Sequence, residues 1–464
     1  MNFILFLLFL FPIKVPYSLL YEGENPINGW ALYDDLTGPI FTPFPLTLYI
    51  NEISFEWIQD VSFINSTPFE EIEANLEKLK LKPYFFKEEK PLTLLFSKRG
   101  LYDLNHLGLL FGRPVGKYLD ANISFDYRTV TPYTFLPEKK FNQFGIASKF
   151  TLQKYKTEFF TLNASGENKD KNTLTVSYFT IASSLWNFNI YYLNQNSLYN
   201  MVTKGGKLEI NILPTLTLIS EFKILYGIGS ARSGKISMKY ERKAGKFFFQ
   251  LEGGGNTQER EKLSPLFDFE LGTEGILFSM TYRTRYLHPA LPLKRSPEKR
   301  FNFSSELKIN NLQIEINALR AKNLVVNEIN RLEKEEEVTL FSIVPSLTIP
   351  LPLSTNLKWS LVLRESSPKL PYLRKRDFRT TIETTKILKD KSAILKGKLI
   401  LSFFDSTENT NEAFVLGTQL ILDLWGSVRI KFESREFYEG TGLLPNYPLR
   451  HYIYRLGVAV LLWD

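Results

Sequence analysis

The chain has 464 residues and no cysteine, which excludes disulfides, Cys-ligated zinc, iron–sulfur clusters and a lipoprotein anchor. It has only three histidines, too few to suggest a His-based metal site, and no cofactor is expected. The net charge of +8 is spread over short segments rather than blocks, so it reads as a lysine-rich solvated surface, with no nucleic-acid partner.

Residues 2–12 form a short apolar run that Pro12 ends. This is a secretory h-region, too short to span a bilayer, and the predicted signal peptide is residues 1–18 with Ser18 the last removed. No later stretch of about twenty apolar residues occurs, so a helical membrane protein is excluded. Residues 19–91 differ in composition from the remainder of the chain. Pro39, Pro43 and Pro45 lead into an apolar strand over 46–50. From Pro68 to Leu81, Phe69, Ile72, Leu76 and Leu79 recur at three- and four-residue spacing, and Thr67 is a fair N-cap, which predicts a helix. This segment is expected to be a small α+β unit. Its apolar positions Tyr49, Phe55, Trp57 and Ile58 are too few for an independent core. It is therefore expected to fill the mouth or lumen of the C-terminal domain.

From Leu92 to the end, residues alternate with a period of two, the mark of strands. Leu119, Ala121, Ile123, Phe125 and Tyr127 share one parity, and Asp120, Asn122, Ser124, Asp126 and Arg128 share the other. The same separation recurs in many later segments, among them 174–178, 186–192, 208–212, 276–283, 357–364 and 428–433. The expected fold is all-β: a closed antiparallel transmembrane β-barrel of about 20–22 strands, or about 16–18 if the weaker segments fail, spanning 92–464. Gly205-Gly206, Leu213-Pro214, Ala244-Gly245 and Gly253-Gly254-Gly255 read as tight turns, and 287–300, 324–337, 365–377 and 437–449 as long loops. Lipid cannot satisfy backbone N–H and C=O groups, so a spanning sheet must close on itself.

The polar parity carries both signs of charge. Asp120, Asp126, Lys149, Arg283, Lys358, Arg364, Arg429 and Lys431 are candidate lumen-lining residues. His106 and His451 also fall on the polar parity, with no compelling Ser or Asp motif beside either, so a catalytic site is not expected. The acidic run Glu333–Glu337 reads as a solvated loop.

The end of the chain carries the most specific resemblance. Arg455, Gly457, Val460 and Leu462 resemble the C-terminal insertion signal of bacterial outer-membrane barrels, with aliphatic residues where aromatic ones are usual and Trp463 and Asp464 trailing. This resemblance implies the bacterial outer membrane, its lipids, and the barrel-assembly machinery as partners. Residues 95–100 and 107–113 resemble the first barrel strands of TonB-dependent receptors and related porins, and 48–61 resembles a reduced form of the receptors' N-terminal plug. Glu52 stands where that plug usually has glycine, and no energy-coupling box precedes it, which counts against an energy-coupling partner. The implied function is porin-like or receptor-like passage of a small hydrophilic solute. A non-transport barrel for assembly or adhesion is the alternative, and a barrel hydrolase ranks last.

Overall fold

The computed structural model describes residues 46–463, apart from 52, 59–68, 75–77, 86–90, 101–103, 117, 131–138, 153–154, 168–170, 197–199, 260–262, 287–288, 290–296, 329–330, 369–374, 389–391, 407–411, 426 and 439–451. The predicted signal peptide and residues 19–45 lie outside that range.

The period-two alternation becomes a ring of 22 antiparallel strands, from β5 (Leu92–Gly100) to β26 (Tyr452–Trp463). Each strand pairs with the next in the chain, and the last closes on the first with Trp463 opposite Leu92. The register holds one parity inside throughout. On β7 (Leu119–Val130), Ile123 and Phe125 are 44% and 46% exposed on the outside, while Asn122, Ser124, Asp126 and Arg128 on the inside are at most 1% exposed. Apolar residues outside and polar residues inside invert the pattern of a protein dissolved in water and match a wall that faces lipid. Connections at one end are short (214–215, 245–246, 310–311, 352–354, 425–427), and those at the other include 131–138, 286–297, 405–412 and 439–451. The short-turn end is the periplasmic one by the rule for such barrels.

The N-terminal segment departs from the expected α+β unit. Among the described residues it holds no helix but a four-stranded sheet in the order β2-β1-β4-β3. Its strands are β1 (Leu46–Ile50), β2 (Ile53–Ile58), β3 (Phe69–Ala74) and β4 (Lys78–Pro83). The predicted helix over 68–81 is replaced by β3 and β4. The run Lys78-Leu79-Lys80-Leu81-Lys82 itself alternates, and β1 gives it a parallel partner on one side while β3 pairs on the other. Backbone pairing on both edges outweighs a weak three/four apolar spacing.

Three of the expected turns and loops are strand instead. Gly205 and Gly206 lie inside β12 (Asn200–Leu213), and Gly253–Gly255 inside β15 (Phe247–Gln258). At Gly205 a side chain would meet the Tyr191 ring at 2.5 Å and the Phe222 carbonyl at 2.7 Å, so this glycine makes room for a ring rather than for a turn. The stretch 324–337 is mostly strand. β19 (Leu312–Glu328) and β20 (Arg331–Leu351) pair beyond their other neighbours as a projecting ribbon, with Leu324 opposite Glu336. The Leu213-Pro214 and Ala244-Gly245 turns form as expected, Gly245 with a φ of +61°.

Candidate functional site

The inner wall carries many polar and charged residues, and its largest apolar patch lies on three successive strands. On β9 (Tyr155–Glu167), β10 (Lys171–Ala182) and β11 (Trp186–Asn196), the inward positions include Phe160, Leu162, Ala164, Leu174, Val176, Tyr178, Tyr191 and Leu193, all buried. On β9 and β10 the alternation is the reverse of that on β7: Phe160, Leu162, Leu174 and Val176 point inward, and Thr161, Asn163, Thr175 and Ser177 point out. These residues form one cluster with Leu48, Ile50, Ile53, Phe55, Phe69, Leu81 and Phe85 of the N-terminal segment. Phe55 meets the Tyr191 ring edge-on at 5.5 Å between centroids, and Phe69 meets Phe160 at 6.0 Å. The N-terminal sheet thus sits within the barrel against an apolar seat. A second buried cluster sets Tyr84 against Leu92, Leu94, Phe96, Leu110, Ala459 and Leu461, around the seam where β26 meets β5.

Polar ties surround the seat. Asn51, at the turn between β1 and β2, donates from Nδ2 to Glu158 Oε2 at 3.1 Å. Asn51 has a φ of +46°, a left-handed conformation that asparagine tolerates better than most residues. Lys223 Nζ, on β13 (Leu216–Tyr226), donates to the carbonyl and hydroxyl oxygens of Ser54 at 3.2 and 3.3 Å. Arg283, on β17 (Ile276–Arg285), donates to Tyr49 Oη at 3.3 Å and pairs with Asp268 at 2.7 Å. Tyr191, lying over Gly205, donates its hydroxyl proton to Glu221 at 2.6 Å.

The eight charges singled out in the sequence all take inward register positions, but they fall into separate groups. Asp120 stands opposite Lys149, which pairs with Glu158 at 3.5 Å near the N-terminal sheet. Asp126 Oδ1 lies 2.6 Å from His106 Nε2, both groups being buried, and the Phe96 ring meets the imidazole edge-on at 5.0 Å. His106 therefore has an acidic partner that the sequence did not suggest, because Asp126 lies on the neighbouring strand. His288 and His451 are outside the described residues. Arg364 pairs with Asp377 at 2.5 Å. Lys358, Arg429 and Lys431 belong to a further series on β21 (Thr355–Ser367) to β26. There Lys358 and Lys398 flank Glu383 at 2.7 and 3.0 Å. Lys396 and Arg429 flank Asp423, and Lys431 and Arg455 flank Glu433. Of the terminal signal, Arg455 and Gly457 point inward, while Val460 and Leu462 point outward.

Sequence reasoning missed the seat, although a signal was present. Phe159-Phe160, Tyr178-Phe179 and Tyr191-Tyr192-Leu193 place apolar residues on both parities, as a strand covered on both faces requires.

No family model matches the chain, and no curated protein matches it in sequence. Solved structures do match it in fold. The FrpB iron transporter from Neisseria meningitidis superposes with a TM-score of 0.69 at 8% identity, over 92% of this chain and 95% of that one. The siderophore receptor PirA from Pseudomonas aeruginosa gives 0.69 at 9% identity, over 92% and 94%. The ferric enterobactin receptor PfeA, in complex with BCV-L6, gives 0.68 at 8%, over 96% and 97%. The chain shares their fold. The closed barrel of about 20–22 strands expected from the sequence is the one found, with 22 strands, and its lipid-facing exterior belongs in a bacterial outer membrane.

Proposed function

We infer that the chain is a gated uptake barrel in which residues 19–91 act as a reduced plug and 92–464 as the translocating wall. The observation that carries this reading is the apolar seat on β9–β11. An inner wall meant only for water has no use for eight buried apolar side chains, whereas a plug needs a dry surface to pack on. Barrel size agrees, since barrels with this many strands are wide enough to need a filling. The polar ties at Asn51, Ser54 and Tyr49 are fewer and weaker than the seat, so they can break one by one while apolar packing holds the resting position.

The cargoes named for the structural neighbours are iron, siderophores and ferric enterobactin, and they support a metal chelate rather than a small porin solute as the cargo here. Such cargo calls for an energy-coupling partner on the periplasmic side, to shift the N-terminal sheet.

Two measurements test the reading. Deleting residues 46–85 should raise single-channel conductance in planar bilayers while the barrel keeps its heat-modifiable mobility on gels. Crosslinking Asn51→Cys to Glu158→Cys with a reducible bismaleimide, in a chain with no competing thiol, should abolish uptake of siderophore-bound radioactive iron by cells, and reduction should restore it. Unchanged conductance after the deletion would remove the plug, and unchanged uptake in the crosslinked protein would remove the gate.

A further inference from the structure

The strands that form the apolar seat carry a polar patch on their opposite, outer face. Because their apolar residues point inward, Thr161 and Asn163 of β9, Thr175 and Ser177 of β10 and Asn194 of β11 point outward. The partners of Thr161 and Asn163 on β8 (Lys139–Leu152) are Ile146 and Phe144, and the partner of Phe144 on β7 is Phe125. Phe125 and Phe144 are 46% and 43% exposed on the lipid face. The apolar band that β7 and β8 present is therefore interrupted on β9–β11. The hydroxyls of Thr161 and Ser177 meet each other at 2.8 Å within the patch.

Two cations adjoin it on the same rung. Ser177 stands opposite Tyr192, Tyr192 opposite Lys204 of β12, Lys204 opposite Ile224 of β13, and Ile224 opposite Arg232 of β14 (Ser230–Ala244). Lys204 and Arg232 are both exposed on the outer face. Lys204 Nζ lies 5.7 Å from the Tyr192 ring centroid and 5.6 Å from that of Tyr226, so two rings hold the ammonium against the wall. Glu259 donates its backbone N–H to the Arg232 carbonyl at 2.7 Å, and among the described residues no carboxylate pairs with either cation. Lys204 and Arg232 lie near the starts of their strands, away from the short turns and so on the outer-leaflet side.

We propose that this outer patch on β9–β14 binds an outer-leaflet lipid whose headgroup is a phosphorylated sugar. Lys204 and Arg232 stand two strands apart, about 10 Å by strand spacing, so each can take a phosphate of one headgroup in a charge-assisted hydrogen bond. The Thr, Ser and Asn side chains offer donors and acceptors to sugar hydroxyls, whereas hydrocarbon would leave them unsatisfied. Tyrosine rings suit the boundary between the two. A second copy of the chain meeting this patch about a two-fold axis would set both cations against their own copies. The lipid thus sits lower in its leaflet beside β9–β11 than beside β7 and β8, directly behind the seat. The site lies on the outer face and is independent of any gate in the lumen.

The test is native mass spectrometry of the full chain, released from detergent after incubation with an acylated glucosamine disaccharide carrying two phosphates. The same lipid without phosphates and phosphatidylethanolamine are the controls. The phosphorylated lipid should stay bound in preference to both. Lys204→Gln with Arg232→Gln should lower its retained fraction by about tenfold or more, whereas Lys204→Arg with Arg232→Lys should keep it. Asn163→Leu with Thr175→Val should also lower retention, by removing the sugar contacts. Lys246→Gln, at the 245–246 turn on the opposite side of the membrane, should leave it unchanged. Heat-modifiable mobility reports that each variant is folded. Equal retention of the lipid without phosphates, unchanged retention in either the cation or the Asn163→Leu, Thr175→Val variant, equal loss with Lys246→Gln, or a second copy of the chain in place of the lipid would each overturn the proposal.

Discussion

Two arcs of one inner wall do different jobs with the same backbone. The β9–β11 arc presents Phe160, Val176, Tyr178 and Tyr191 to the lumen and is covered by the N-terminal sheet. The β21–β26 arc presents Lys358, Lys396 and Arg429, the first half exposed. Neither differs in strand geometry, register or closure. The difference lies only in which residues occupy the inward parity, so a barrel can hold a protein segment on one side and line the other with ion pairs without any change of fold.

The sharpest way to break that contrast is to give the seat a charge. Val176→Arg buries an unpaired guanidinium between wall and sheet, at about 3–5 kcal/mol against the seated state. The N-terminal segment should become sensitive to added protease while the barrel itself stays folded. If protection is unchanged, the segment is not held by the seat. Next in size, Leu361→Arg places a charge on the outward face of β21 at about 2–4 kcal/mol, and its neighbour Ser360→Arg points inward and should be tolerated. Equal loss of heat-resistant barrel in both variants would show the faces to be misassigned. A smaller loss is expected for Gly205→Ala. The new Cβ would press on the Tyr191 ring and the Phe222 carbonyl, costing about 1–3 kcal/mol and pushing Tyr191 off both Phe55 and Glu221. Tyrosine fluorescence and protease sensitivity of the segment should change together. Asn51→Gly keeps the left-handed backbone and removes only the bond to Glu158, about 1 kcal/mol, so it should loosen the sheet measurably less than Val176→Arg.

The smallest effect lies beyond the rim, where hydrogen bonding to Arg320 and the nearby Lys322 hold the Glu337 carboxyl below the ordinary carboxylate range. A lowered value means that the pairing is present above the unfolded pKa and is lost as pH falls through the folded one. Amide protection factors at the base of the β19–β20 ribbon, around 320–322 and 336–338, should therefore fall at acid pH, after correction for the intrinsic exchange rate, while the barrel strands stay protected.

Most of the barrel was legible because a period of two has one meaning once closure is assumed. The face taken by most residues follows from counting parity, whereas the rung that joins Leu92 to Trp463 is set by the paired strands themselves. What parity does not carry is context. It cannot tell a lipid-facing Val from a seat-facing one, and so the apolar residues of 174–178 lie inward with Phe160 and Leu162 of β9, whereas those of β7 lie outward. Glycine misled for a related reason: Gly205 and Gly254 mark close approach by Tyr191 and by the β14 (Ser230–Ala244) backbone, and only neighbouring strands show this. The predicted helix over 68–81 failed because the apolar residues of one short segment fit both periods, and the choice was made by the edge of β1. The row of ion pairs from Lys358 to Arg455 was legible in principle. Ring order follows chain order, so an arc of the wall is a continuous stretch of sequence, and summing inward charge strand by strand would have found it.

Closure through Leu92 and Trp463 also imposes an order of events on biogenesis. The rung that seals the ring joins residues from opposite ends of the strand series, the pairing with the greatest sequence separation in the barrel. Until β26 has reached the membrane the sheet has two open edges, each a template for pairing with a foreign strand. The N-terminal sheet is made first, yet its seat on β9–β11 must be built and curved around it before the seam can shut. The barrel is therefore expected to wrap its own cargo gate during insertion, with the C-terminal strand as the last stitch.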